Sequence, residues 1–125
     1  MKISACRISL ALFMFIIFAT SVGAHAQGAP PEPSVQLTST TNLIHRAAQA
    51  ADHAWEEFHR AAIEGTLASP AIQVAIENQL HEVRALLMEA RRADRAQQFN
   101  SVKIMTEKIF IITQHIVQAS QERKI

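Results

Sequence analysis

From about residue 41 onward, apolar and small residues recur at alternating steps of four and three. That spacing turns one face of a helix toward a neighbour. Three runs are legible. The first, about residues 41–64, carries Ile44, Ala48, Ala51, Trp55, Phe58 and Ala62. Thr38, Ser39, Thr40, Thr41 and Asn42 offer side-chain oxygens to cap its start, and Gly65 suits the left-handed residue just past its end. The second, about 70–92, opens with Ser69 as N-cap and Pro70 as first helical residue, where the missing N–H costs nothing. Its stripe is Ile72, Ile76, Leu80, Val83, Leu87 and Ala90, widened by Leu86. The third, about 95–122, carries Val102, Met105, Ile109, Ile112, Ile116 and Ala119.

No Gly or Pro interrupts residues 71–125, so the phase of the pattern decides whether the last two runs are one helix. Continued past Ala90, the second stripe would bury Gln97, Ser101, Lys108, His115 and Glu122. The apolar series instead restarts in another phase, which places a break at Arg91–Arg95. Asp94 with Gln97 three residues on resembles a capping box. Strand-like alternation is absent. Short connections at 65–69 and 91–95 predict an all-α fold, an antiparallel up-down-up three-helix bundle.

The chain upstream of the bundle reads as an address and a spacer. Lys2 and Arg7 precede an apolar run from Ile8 to Ala19, and Ala24-His25-Ala26 supplies small residues at the −3 and −1 positions. This predicts a signal peptide over residues 1–26, cleaved between Ala26 and Gln27. The apolar run is about 12 residues, against the roughly 20 of a membrane span. Retention as an N-terminal anchor is the alternative. Residues 27–40, which begin QGAPPEPS, predict a flexible Pro-rich linker. The expected location is periplasmic or secreted, touching the membrane only transiently through the signal peptide.

Composition narrows the chemistry. The chain has 125 residues, 49% of them hydrophobic, with one cysteine and a formal charge of +1. Cleavage would remove Lys2, Arg7 and Cys6, leaving a formal charge of −1 and no thiol. Nothing in that balance predicts a nucleic-acid partner. No Cys-x-x-Cys-His, Gly-x-Ser-x-Gly or Gly-rich phosphate loop occurs, so no catalytic residue is assigned. His45 and His59 stand about 21 Å apart along one helix and cannot share an ion. The single Glu-x-x-His, Glu56 to His59, lacks the second copy that a di-iron bundle needs. No metal and no cofactor is therefore predicted.

Two surfaces remain. Arg84, Arg91, Arg92 and Arg95 form a basic cluster near the end of the second helix, a weak candidate for anion binding. On the third helix, Ile104 and Ile111 flank the main stripe on one side, and Phe110 and Val117 on the other. That exceeds what two neighbouring helices should cover, and each large apolar side chain left in water forgoes roughly 1.5–3 kcal/mol of burial. The expected function is a non-catalytic binding, accessory or assembly protein of a bacterial envelope. Ile104, Phe110, Ile111 and Val117 would contact a protein partner or another copy of the chain. The alternatives are a small all-helical exported enzyme of the chorismate mutase type or a His-based metal- or haem-binding bundle. Intact mass spectrometry of the exported protein should give a chain beginning at Gln27; a full-length cytosolic species would refute the leader.

Overall fold

The computed structural model describes residue 28 and residues 32–122. Three helices, α1 (Pro33–Ile63), α2 (Pro70–Arg95) and α3 (Phe99–Gln121), each pack against the other two. No strand occurs among the described residues. The expected cleavage point between Ala26 and Gln27 lies outside them.

α1 begins eight residues earlier than the capping cluster suggested, so the linker expected over 27–40 does not extend past Glu32. Pro33 takes the first helical position, and nothing between it and Gly65 breaks a helix. The hydroxyls of Thr38 and Thr41 do not cap a start. They donate to the carbonyls of Ser34 and Leu37, four residues back. At the other end Gly65 adopts φ 62°, and the amides of Gly65 and Thr66 donate to the carbonyls of Ala62 and Ala61. This is the left-handed closure anticipated for that glycine. The start of α2 is also as expected, with the Ser69 hydroxyl accepting from the Ile72 amide at 3.3 Å.

The break between α2 and α3 lies later than the polar run at Arg91–Arg95, which is helical throughout. The turn falls at Ala96–Gln98. Gln97 takes φ 57°, the amide of Gln98 donates to Ala93, and that of Gln97 to Asp94. The geometry repeats the closure of α1 without a glycine, so the sequence carries no signal for it. Asp94 likewise starts no helix. Its carboxylate accepts the Thr40 hydroxyl at 2.6 Å and ties the end of α2 to the early part of α1.

The buried face of α1 is Thr40, Ile44, Ala47, Ala54, Phe58 and Ala61, with Ala51 partly buried. Ile44 and Phe58 are buried as expected, but Ala48 is only partly buried and Ala62 exposed, and Ala47, Ala54 and Ala61, each one residue earlier than expected, take the core positions. Trp55 leaves the core altogether and is 42% exposed. In α3 the line Val102, Thr106, Ile109, Thr113, Ile116 and Ser120 is buried, while Met105, Ile112 and Ala119 are only partly so. Thr106, Thr113 and Ser120 survive burial because each hydroxyl donates to a carbonyl of its own helix, at 2.8–3.0 Å. α2 follows expectation, burying Ile76, Leu80, Val83, Leu87 and Ala90.

Gln97 holds a conformation that costs an L-residue about 1–2 kcal/mol. Gln97→Gly should therefore raise stability, by up to about 1 kcal/mol after the entropy cost of glycine. Chemical denaturation of the two proteins checks this; a lower midpoint for the glycine variant would refute the turn.

Candidate functional site

α3 touches α1 on one side and α2 on the other, and its core line fixes where every other residue of the helix falls. Lys108 reaches Glu82 of α2 at 2.7 Å, and His115 hydrogen-bonds Gln79 of α2. Phe110 lies toward α1, under the guanidinium of Arg46 at 5.8 Å. The outer line is what neither neighbour reaches. Ile104 and Ile111 lie on it, two turns apart, 67% and 69% exposed.

The four proposed contact residues therefore do not form one surface. Phe110 and Val117 are partly buried and pack against the core. With Ala50, His53, Thr113 and Gln114 they line a shallow depression of about 230 Å³ between α1 and α3. Ile104 and Ile111 remain as an apolar pair among Asn100, Glu107, Gln114 and Gln118, all exposed. Nothing folds back to cover them among the described residues.

The four arginines do not converge on one point: Arg84, Arg91 and Arg95 are strung along one line of α2, with Arg92 beside it. Arg84, Arg91, Arg92 and Arg95 are all exposed. Arg84 stacks over Trp55 of α1, 5.4 Å from the ring centre, and His59 stacks on the same indole at 5.6 Å. Sequence reasoning assigned Trp55 to the core and so missed this cluster. The spacing of Trp55 and His59, four residues apart on one helix, could have shown their contact; the partnership with Arg84 needs the register between two helices. Arg92 and Arg95 close the last turn of α2, where positive charge complements the helix dipole.

Among the described residues no three His, Cys, Asp or Glu side chains come together as a metal site requires. His45, His53, His59, His81 and His115 are exposed. A depression of about 680 Å³ lies at one end of the bundle, between the start of α1 and the α2–α3 turn. Its lining includes Val35, Gln36, Ser39, Gln98, Phe99 and Lys103; of these the sequence pointed only to Ser39, and as a helix cap. Among the described residues Lys103 is the one cation in that lining, and the four arginines lie elsewhere. Among the described residues no helix is long and apolar enough to cross a membrane. Comparison with protein-family models, curated proteins and solved structures gives no match.

Proposed function

We propose that the protein is a small exported helical bundle, periplasmic or secreted, that works by binding rather than by catalysis. In this reading it is an accessory or assembly protein of a bacterial envelope, engaging a protein partner or another copy of itself through the outer face of α3. The observation that carries the reading is the exposure of Ile104 and Ile111 on the same line of one helix. Isolated surface aliphatics are ordinary, but two aligned across two turns are a repeated apolar feature at the spacing a partner helix reads. Phe110 and Val117, partly buried at the α1–α3 boundary, are not part of that surface.

The proposed topology is up-down-up with antiparallel neighbours. It is supported by the pairs that join the helices. Thr40 with Asp94 and Trp55 with Arg84 run in opposite senses along α1 and α2. Gln79 with His115 and Glu82 with Lys108 do the same along α2 and α3. A signal peptide over residues 1–26 gives the proposed location.

Replacing Ile104 and Ile111 together with Ser tests the surface, read by sedimentation velocity, co-purification from envelope extracts and thermal melting. Stability should change by no more than about 0.5 kcal/mol, as for exposed sites, while self-association or partner retention is lost. Ile109→Ala, at a position with no exposure, should instead cost about 2–5 kcal/mol. The proposal is wrong if the Ser pair unfolds the protein as Ile109→Ala does, or leaves every association intact.

A further inference from the structure

The side of the bundle where α1 meets α2 carries a different feature. Arg84, Met88, Arg91 and Arg95 follow one another along α2 at steps of four, three and four, so they share one line about 16 Å long. All are exposed, Met88 by 64%. The ion pairs among the described residues are Arg60–Glu57 and Lys108–Glu82, so no described carboxylate neutralises these three guanidinium groups within 4.0 Å. The stacking of Arg84 on Trp55 places the line on the α1 side of α2. Trp55 is the one tryptophan of the chain, and His59 covers part of its other surroundings. The acidic residues near this face are Asp52 on α1 and Glu77, Glu89 and Asp94 on α2, of which Asp94 is engaged by the hydroxyls of Thr40 and Thr41; Arg92 and His81 add to its basic side. The helix dipole accounts for Arg95, in the last turn. Arg84 lies three turns earlier, beyond the dipole's reach.

Permanently charged guanidinium groups, interleaved with an exposed thioether and a half-exposed indole, match a surface that offers phosphates beside an apolar layer. A soluble acidic polypeptide would satisfy the charges, but it gives no reason for Met88 to stand in water on the same line. We propose that the α1–α2 face docks the bundle on a membrane containing anionic phospholipid. Arg84, Arg91 and Arg95 meet headgroup phosphates, and Trp55 and Met88 enter the boundary between headgroups and acyl chains. In a three-helix bundle this face lies opposite the outer line of α3. Docking therefore leaves Ile104 and Ile111 turned away from the membrane, and the two surfaces stand or fall separately.

The test is co-sedimentation of the protein with vesicles of phosphatidylcholine, with and without phosphatidylglycerol, while the emission of Trp55 is recorded. The wild-type and triple variant chains (R84Q, R91Q and R95Q) are compared in the same processed form. Pure phosphatidylcholine vesicles report any attachment through residues 8–19. The protein should bind the anionic vesicles, shift its Trp55 emission to the blue and come off as salt rises. With each basic residue near the surface giving about a fivefold gain, the triple variant should bind on the order of a hundredfold more weakly while still folding, its melting midpoint lowered only by loss of the Arg84–Trp55 stack and of the Arg95 charge at the helix end. If that variant fails to fold, the lipid and salt dependence of the wild-type emission decides the matter alone. Absence of binding, equal binding to both vesicle types, or undiminished binding by a folded triple variant would overturn the proposal. Capture of soluble polyglutamate without binding to vesicles would overturn it too, assigning the face to an acidic polypeptide.

Discussion

α1 turns three buried alanines toward the core, and the rest of the bundle is arranged around the close approach that such small side chains permit. Ala47 and Ala54 have no exposure, and Ala61 almost none. Side chains of this size let neighbouring backbones come near, and a close-packed interior then leaves no room for larger groups along the same line. Ile109 and Ile116 of α3 and Ile76 and Val83 of α2 complete the central cluster around them. Phe58, between Ala54 and Ala61 on α1, is the one buried aromatic ring in it among the described residues, and Phe110 packs against the cluster from α3.

Packing also decides which residues reach the surface. The register of α3 on its neighbours, rather than the hydrophobicity of each residue, puts Thr106, Thr113 and Ser120 in core positions while Met105, Ile112 and Ala119 stay at the margin. Their hydroxyls are satisfied inside the helix, so burial leaves no donor without a partner. A narrow seam leaves much of each helix uncovered. Ile104 and Ile111 stay in water on α3, and Trp55 on α1 is held outside the core with Arg84 and His59 stacked on it. Both proposed faces thus consist of residues that the packing leaves outside the interior.

The fold class and the existence of three helices were legible because the four-and-three spacing is strong and no strand pattern competes with it. The ends of helices were legible where a residue type announces them, at Ser69, Pro70 and Gly65. The turn at Gln97 was not, since a glutamine in a left-handed conformation has no compositional mark. Part of the core line of α1 was read one residue off because hydrophobicity favours Trp55 over Ala54, although the methyl fits the seam and the indole does not. The same bias hid the threonines of α3. Of the candidate surface, Ile104 and Ile111 could be placed on a flank by counting. The partial burial of Phe110 and Val117 and the meeting of Arg84 with Trp55 depend on how the helices are registered, which spacing along one helix does not encode.

Enlarging a single methyl probes the close approach most directly. Ala54→Leu adds three carbons at a position with no exposure, opposite the central isoleucines. Measured by chemical denaturation with an α1 surface substitution as reference, it should lower stability by about 1–3 kcal/mol, as overpacking does. A variant as stable as the parent, or more so, would mean that the helices do not meet at that methyl.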